Sequence, residues 1–167
     1  MNVAVLGSSG QIGAYLTDYL RKKGHFVREF DIVNSYHEDM THIPNPFLRN
    51  VIMDSDFVFF LAFDVGGSHY LKKYQHTFKF IDNNTRMMAN VFVHLADYKK
   101  PFVFASSQMS NMSYSPYGVM KTLLKYGEMA CRPDHSSTLT NVSKPPEGSW
   151  NRTAPNPSTS DQKRWLQ

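Results

Sequence analysis

Short apolar runs alternate with segments of helical periodicity through the first 130 residues of this 167-residue chain. The runs have the length of buried β-strands and predict strands at residues 2–6, 26–30, 57–62 and 102–105. The run at 57–62 is almost wholly apolar, which is typical of a parallel strand covered on both faces. Strands that alternate with helices favour a parallel sheet with helices on both sides. The pattern therefore predicts an α/β fold built on a doubly wound parallel sheet.

Three helices are predicted between and after these strands. The first spans residues 11–23, with Gly24 as its C-terminal stop. The second runs from about residue 75 to 98, because apolar residues recur there at three- and four-residue steps: Phe78, Ile81, Met88, Val91 or Phe92, and Leu95. The third begins near Pro116. Residues 32–50 contain Pro44 and Pro46, which break any long element, so that a further strand there would be short and would bring the sheet to five strands.

The chain changes character at residue 131. From there to residue 167 Ser, Thr, Pro and Asn dominate, and the large apolar residues are isolated. Such a segment cannot bury enough surface to offset its conformational entropy. We therefore predict a folded domain at residues 1–130 and a disordered or loosely packed tail at 131–167.

Composition excludes several classes of protein. Lys and Arg total 18 against 14 for Asp and Glu, a net charge of +4 without any basic run, which does not indicate a nucleic-acid partner. The longest apolar run, residues 57–63, is far shorter than the roughly 20 residues that span a bilayer. The single cysteine, Cys131, excludes an internal disulfide and favours a reducing, cytoplasmic compartment. The seven histidines show no metal-ligand spacing, so no metal site is predicted.

A glycine-rich segment, GSSGQIG, joins the first strand to the first helix. Glycines at such a junction let the backbone approach a pyrophosphate, which the free amides of the helix N-terminus then bind. Asp31 ends the second strand, where a carboxylate accepts hydrogen bonds from ribose hydroxyls and repels a 2′-phosphate, favouring NAD over NADP. The alternative is a structural turn with a solvent-facing Asp31. The predicted cofactor contacts are Gly7, Ser9, Gly10, Gln11, Ile12, Gly13 and Asp31.

A second candidate site lies at the start of the last helix. Tyr117 and Lys121 are four residues apart, so a helix places both on one face. A nearby ammonium stabilises a phenolate, which can take the proton of a substrate hydroxyl while hydride leaves for nicotinamide. Ser107 or Ser106, after the last strand, could hold the same substrate oxygen. The alternative is an ordinary amphipathic helix surface, where this pair of residues is common.

Four segments together resemble the extended short-chain dehydrogenase/reductases, in the NAD-dependent epimerase/dehydratase branch that acts on nucleotide sugars: VAVLGSSGQIG, DFVFFLAFDVGG, FIDNNTRMMANVF and FVFASSQMSNMSYSPYGVMK. The resemblance implies a Rossmann-like domain and a nucleotide-sugar substrate. It also implies a homodimer through the long helix and the catalytic helix. It places Leu61, Ala62 and Lys121 at the cofactor, and Gly66, Gly67 and Asn84 on the substrate side.

Within that branch, LAFDVGG and DNNT look most like GDP-mannose 3,5-epimerase. That family carries a cysteine acid/base shortly after its serines, where this sequence has Met109, and a thioether cannot exchange protons. The interval from Ser107 to Tyr117 is also shorter than usual in these enzymes. The same 3,5-epimerisation is therefore not expected, and 4-epimerisation, dehydration and keto-sugar reduction all stay open.

Nothing in residues 131–167 resembles the substrate half that these enzymes carry after the catalytic helix. We expect a truncated or frame-shifted copy, or else a natural short variant, in which the sheet keeps an exposed edge and an uncovered apolar face. Three functions remain open. They are a nucleotide-sugar epimerase, dehydratase or reductase, a cofactor-binding module without catalysis, and an inactive fragment.

Overall fold

The structure is a computed structural model that describes residues 1–112 and 114–131. The tail predicted at 131–167 therefore lies, apart from Cys131, outside the described residues. Four strands form one parallel sheet in the order β2-β1-β3-β4. They are β1 (Asn2–Leu6), β2 (Phe26–Phe30), β3 (Phe57–Phe60) and β4 (Phe102–Phe104). The predicted α/β parallel sheet is confirmed.

Five α-helices connect and follow the strands of the described chain. They are α1 (Gln11–Lys22), α2 (Pro46–Met53), α3 (Ser68–Tyr74), α4 (Phe78–Asp97) and α5 (Pro116–Cys131). Two short 3-10 helices span Tyr36–Glu38 and Gln108–Asn111. The first helix ends as predicted, because Gly24 adopts a φ of 80° that a residue with a side chain rarely tolerates.

The predicted fifth strand within residues 32–50 is wrong for the described chain. That segment contains a 3-10 helix and α2 instead. The side-chain oxygen of Asn45 accepts the N–H groups of Phe47 and Leu48, each at 3.0 Å, and so caps the start of α2. Pro46 occupies the first position of the helix, where its missing N–H costs nothing. The proline that was expected to break an element therefore begins one.

The long helix predicted at 75–98 begins later than expected. The Thr77 hydroxyl oxygen accepts the N–H of Phe80 at 3.3 Å and caps α4, so that Phe78 is its first residue. Phe78 was predicted to face the core, but 80% of it is exposed. Met88, Val91 and Leu95 are buried as predicted. Within the first turn of α4, Phe80 is buried while Phe78 is exposed, so the buried face of the helix includes Phe80 instead of Phe78.

The core has two layers because the strands alternate their side chains between the two faces of the sheet. Ala4 and Leu6 of β1 belong to the larger cluster, which includes buried residues of α2, α4 and α5. Val3 and Val5 belong to the smaller cluster, on the side of α1. Both faces of β1 are thus covered, which accounts for the apolar side chains at residues 3–6.

Two strands end earlier than predicted, and the end of β3 shapes the site. The N–H groups of Leu61 and Ala62 both donate to the carbonyl of Leu6, at 2.8 and 2.9 Å, so the ladder stops and the chain turns away. Likewise β4 ends at Phe104 rather than at residue 105. In the sheet β1 lies between β2 and β3, so the chain continues from β1 to β2 on one side and then crosses from β2 to β3 on the other side. A crevice at such a switch point, beyond the carboxyl ends of the strands, is where open α/β sheets bind ligands.

Candidate active site

The glycine loop is packed so tightly that two of its glycines have no room for a side chain. A β-carbon on Gly7 would lie 2.6 Å from the backbone nitrogen of Ala62, and the φ of Gly7 is 91°. A β-carbon on Gly13 would lie 2.0 Å from the carbonyl oxygen of Gly7. Gly10 is less confined, since the nearest atom to a β-carbon there would be 3.4 Å away. Gly13 therefore lets α1 pack directly onto the end of β1, and Gly7 lets the backbone after β3 approach the loop.

The N-terminus of α1 opens toward a cavity of about 730 Å³, within the size range of small-molecule sites. Its N-cap residue is Gly10, which has no side chain to accept a hydrogen bond, and its first turn contains no acidic residue. Gln11, Ile12 and Gly13 follow and line the cavity. The amides of a first turn without a side-chain cap and the positive end of the helix dipole together favour an anion at this position.

An acidic group of side chains lines the cavity beyond the end of β2. Asp31 is buried, and its two carboxylate oxygens accept the N–H groups of Ser9 at 2.9 Å and Val33 at 3.0 Å. The N–H of Asp31 itself donates to the carboxylate of Glu38 at 2.7 Å. Asp31, Glu38 and Asp39 all line the cavity. A carboxylate oxygen that accepts one backbone bond keeps acceptor capacity for a hydroxyl group.

The loop after β3 is held in place by a buried asparagine of α4. Asn84 is fully buried; its side-chain oxygen accepts the N–H of Asp64 at 2.8 Å, and its NH2 donates to the carbonyls of Asp64 and Phe80. The Asp64 carboxylate accepts the hydroxyl of Tyr70 at 2.7 Å and the side-chain NH2 of Asn83 at 2.9 Å. The bond to Asp64 raises the pKa of Tyr70 to about 12, so this phenol keeps its proton and acts as a donor.

The helix α5 reaches the site because small residues let it pack against the preceding turn. A β-carbon on Gly118 would lie 2.3 Å from the carbonyl oxygen of Met109. The hydroxyl of Thr122 donates to the carbonyl of Ser110 at 2.7 Å. At the start of the helix, the oxygen of Ser115 accepts the N–H of Gly118 at 3.3 Å. These contacts fix the face of α5 that carries Tyr117 and Lys121.

Tyr117 and Lys121 lie together, as predicted from their spacing, and both are buried. Only 8% of Tyr117 and 3% of Lys121 are exposed. The Lys121 ammonium is 5.6 Å from the centroid of the Tyr117 ring and donates to the carbonyl of Ala105 at 2.9 Å. It also lies 3.8 Å from the centroid of the Phe63 ring. Burial lowers the pKa of Lys121 to about 8, because the surroundings disfavour the charged form.

The two predicted serines follow β4 at the strand end that Lys121 contacts. Ser106 is exposed and Ser107 is half-buried. The Ser107 oxygen accepts the N–H of Met109 at 3.2 Å, which caps the 3-10 helix at Gln108–Asn111. A hydroxyl oxygen that accepts a bond can still donate its own proton, so the contact leaves a donor available.

The cavity walls include eight of the sixteen predicted site residues. Among the described residues, those predicted and found there are Gly7, Gly10, Gln11, Ile12, Gly13, Asp31, Leu61 and Ala62. Those predicted but placed outside the walls are Ser9, Gly66, Gly67, Asn84, Ser106, Ser107, Tyr117 and Lys121. Phe63 is a wall residue that also contacts the Tyr117–Lys121 pair, so it stands at the boundary between the two groups.

Sequence reasoning missed several wall residues, namely Glu38, Phe63, Asp64, Tyr70 and Asn83. Two of them, Phe63 and Asp64, lie within the LAFDVGG segment that was already singled out, so their positions carried a signal. The others come from α3, α4 and a 3-10 helix, and only the tertiary fold brings them to the crevice.

A parallel sheet with a glycine loop at its switch point defines a Rossmann-type α/β domain. A sequence profile of the NAD dependent epimerase/dehydratase family matches residues 3–132. The chain belongs to that family, whose members use a nicotinamide dinucleotide. A search of curated proteins finds no match.

Solved structures share this fold at low sequence identity. A UDP-glucose 4-epimerase with UDP-glucose from Thermotoga maritima is 16% identical, with a TM-score of 0.62 over 78% of this chain and 51% of that one. A short-chain dehydrogenase/reductase superfamily protein with bound NAD from Agrobacterium tumefaciens is 21% identical, with a TM-score of 0.59 over 77% and 44%. A dTDP-4-dehydrorhamnose reductase from Bacillus anthracis in complex with NADP is 16% identical, with a TM-score of 0.62 over 78% and 50%. This chain spans about half the length of these proteins.

Membrane-spanning helices and metal-holding groups of side chains are both absent from residues 1–112 and 114–131. No helix among them is long and apolar enough to cross a bilayer. No group of three or more His, Cys, Asp or Glu side chains in that part of the chain could hold a metal ion.

Proposed function

We propose that the chain binds NAD in the crevice between β1 and β3. Support comes from the glycine loop, where Gly7 and Gly13 have no side chains and the backbone segments around them pack closely. The first turn of α1 has no side-chain cap and faces the cavity. Those amides suit a pyrophosphate. Leu61 and Ala62 line the opposite wall, next to the loop.

NAD rather than NADP is the proposed cofactor because the ribose end of the cavity is acidic. Asp31 has oxygens that can accept ribose hydroxyls, and Glu38 and Asp39 line the same region. A 2′-phosphate there would face three carboxylates, and like charges at short range repel each other.

The proposed chemistry is oxidation or reduction at a sugar carbon, with Tyr117 as the base. When bound, the nicotinamide supplies a reversible hydride acceptor. The phenolate of Tyr117 would take the proton of the substrate hydroxyl and become the neutral phenol, and the ammonium of Lys121 would stabilise the phenolate and hold ribose hydroxyls. Ser107 or Ser106 donates to the substrate oxygen. The observation that carries this proposal is the buried Tyr117–Lys121 pair behind the wall of the glycine-loop cavity.

We propose a nucleotide sugar as the substrate. Support comes from the family and from similar structures, one of which was solved with UDP-glucose. On this chain the proposed substrate side is formed by Gly66, Gly67 and Asn84. The first two are exposed before α3, whereas Asn84 contributes by fixing the loop at Asp64.

The test is turnover of nucleotide sugars by the wild type and by Tyr117→Phe. The protein is incubated with NAD and, in turn, UDP-glucose, GDP-mannose and dTDP-glucose, while reduced nicotinamide is followed by absorbance and products by NMR. We expect Tyr117→Phe to lower turnover at least about 100-fold, because a general base typically contributes that much. NAD binding should persist, since Tyr117 is not a wall residue of the glycine-loop cavity.

Tyr114→Phe is the matched control. Tyr114 is 79% exposed and lies three residues before Tyr117. The substitution there removes the same hydroxyl group as Tyr117→Phe. Turnover in this variant should equal that of the wild type. Unchanged turnover in Tyr117→Phe would remove Tyr117 from the mechanism.

A cofactor-binding module without catalysis is the second candidate. It is favoured by the absence of Tyr117 and Lys121 from the cavity walls formed within residues 1–112 and 114–131. It predicts that NAD raises the melting temperature while no sugar is turned over. An inactive fragment predicts neither a cooperative melt nor stabilisation by NAD.

We also propose a homodimer through α4 and α5. Val93 on α4 and Val119, Leu123 and Tyr126 on α5 are exposed. Burying such side chains between two copies would remove apolar surface from water. Light scattering after size-exclusion chromatography should show a dimer that Leu123→Glu converts to a monomer, and a monomeric wild type would contradict the proposal.

A further inference from the structure

We propose that Phe63 gates access to Lys121: its ring covers the ammonium group and must swing away before that ammonium can reach a ribose hydroxyl of the cofactor. Phe63 is thus a positioning residue, which acts through Lys121. This inference rests on the proposed binding of a nicotinamide dinucleotide, and the experiments below separate the two.

The ring of Phe63 covers both members of the catalytic pair. The Lys121 ammonium lies 3.8 Å from its centroid, within the range of a cation–π contact. The Tyr117 ring meets it edge to face at 5.6 Å and 82°. The ammonium also donates a hydrogen bond to the carbonyl of Ala105, and only 3% of Lys121 is exposed. No ligand can contact this ammonium while the ring stays in place.

The same ring forms part of the cavity wall. Phe63 follows Leu61 and Ala62, which line the cavity beside the glycine loop, and it lines the cavity itself. It is half-buried. A single aromatic side chain therefore separates the space proposed for the cofactor from the lysine proposed to hold that cofactor.

The opening movement must come from the side chain, because the backbone is held on both sides of residue 63. The N–H of Ala62 donates to the carbonyl of Leu6 at 2.9 Å. The N–H of Asp64 donates to Asn84 at 2.8 Å, and the carbonyl of Asp64 accepts from the same side chain. A change of rotamer leaves these bonds intact, whereas a shift of the loop would break them.

A gate that is closed most of the time weakens binding of the whole dinucleotide, because only the open fraction binds its nicotinamide end. Opening the gate breaks one buried cation–π contact, so the energy of that contact sets the size of the expected change in NAD affinity. Removing the ring should therefore tighten NAD binding by roughly 3- to 30-fold. ADP has no nicotinamide ribose, so its affinity should not change.

The first experiment measures affinities for NAD and ADP by titration calorimetry in the wild type, Phe63→Ala and Phe63→Leu. Phe59→Leu is the matched control, because Phe59 lies on β3 four residues before Phe63 but packs against the smaller cluster, on the side of α1. We expect Phe63→Ala to bind NAD more tightly with unchanged ADP affinity, and Phe63→Leu to show a smaller effect in the same direction. The Phe59→Leu values should match the wild type.

The second experiment reads Lys121 directly and needs no cofactor. Acetylation by an N-hydroxysuccinimide ester is followed by mass spectrometry, with the exposed Lys125 of the same helix as internal reference. The ratio of Lys121 to Lys125 labelling should rise about tenfold in Phe63→Ala, since the ring no longer covers the amine. In Phe59→Leu the ratio should stay at the wild-type value.

The outcomes separate the two proposals. Weaker or unchanged NAD binding in Phe63→Ala, with ADP unaffected, would overturn the gate, since the ring would then be no obstacle to the cofactor. An unchanged labelling ratio would overturn it as well. If the wild type binds neither NAD nor ADP, the proposed function fails, and labelling alone decides whether the ring protects Lys121. Should Phe63→Ala not fold, judged by its melting curve, Phe63→Leu keeps an apolar side chain and decides the question.

Discussion

The carbonyl oxygen of Gly7 lies 2.0 Å from the point where a β-carbon of residue 13 would be, so residue 13 has no room for a side chain. The carbonyl oxygen is a backbone atom, and the backbone fixes the position of a β-carbon. No rotation of a side chain can relieve such a contact. The close packing of α1 onto the end of β1 therefore requires Gly13.

Gly13→Ala should lower the free energy of unfolding by about 3 kcal/mol or more, because the added methyl group forces the loop and helix apart. Gly10→Ala is the matched control. A β-carbon there meets its nearest neighbour at 3.4 Å, and the loss should stay below about 1 kcal/mol. Urea denaturation followed by circular dichroism measures both. Equal losses in the two variants would show that the packing of α1 is not the cause.

Asn84→Ala should cost about 2–3 kcal/mol of unfolding free energy. The substitution leaves the N–H and carbonyl of the half-buried Asp64 without their side-chain partner, and polar groups that lose a partner away from water carry that penalty. Asn50→Ala, at an exposed position of α2, should change stability by less than about 0.5 kcal/mol. Chemical denaturation of both variants is the measurement. A loss in Asn84→Ala no larger than in Asn50→Ala would mean that the loop does not depend on this amide.

Glu38→Gln should shift cofactor preference toward NADP. The substitution removes one negative charge from the proposed ribose end of the cavity, while the new amide oxygen can still accept the N–H of Asp31. The ratio of NADP to NAD affinity should rise roughly two- to fivefold, as expected for one partly screened charge.

Glu29→Gln is the control for net charge. Glu29 lies on β2, pairs with Arg21 and is not part of the cavity wall. Its affinity ratio should equal that of the wild type. If both variants shift the ratio equally, overall charge rather than the cavity sets the preference. Fluorescence or calorimetric titration with each dinucleotide provides the numbers.

Lys121 should make stability increase with pH in the alkaline range. Burial lowers its pKa in the folded protein to about 8, while the unfolded chain keeps a pKa near 10.5. Between these values the unfolded state binds more protons, so the free energy of unfolding rises as pH increases from about 8 to 10.5. Below pH 8 the cost of burying the charged form is fully present.

The measurement is urea unfolding of the wild type and Lys121→Met at pH 7 and pH 10. The free energy of unfolding of the wild type minus that of Lys121→Met should be about 1–3 kcal/mol larger at pH 10 than at pH 7. The methionine variant lacks the group and corrects for all other titrations. A difference that stays constant with pH would show that Lys121 is not desolvated.

Local signals in the sequence were enough for the sheet and for the glycine loop. The strand at 2–6 carries an apolar run at residues 3–6, the strand at 26–30 keeps Phe26, Val27 and Phe30 around two charged residues, and Gly24 marks the end of the first helix. Prediction was wrong where a single side chain changed the outcome. Asn45 and Pro46 begin a helix where a short fifth strand was expected, and Thr77 delays the start of α4. A helix cap depends on the side chain of one residue. An average of hydropathy over a window of residues does not detect such a side chain.

What the sequence by itself determined is the class of fold, the glycine loop between the first strand and the first helix, and the pairing of Tyr117 with Lys121, because each depends on residues that are near neighbours along the chain. The tertiary structure decided the rest. It placed the Phe63 ring on Lys121, the Asn84 amide on the backbone of Asp64, and Glu38 beside Asp31. The first two contacts join different elements of the chain and the third crosses a loop, so they exist only once the core has packed.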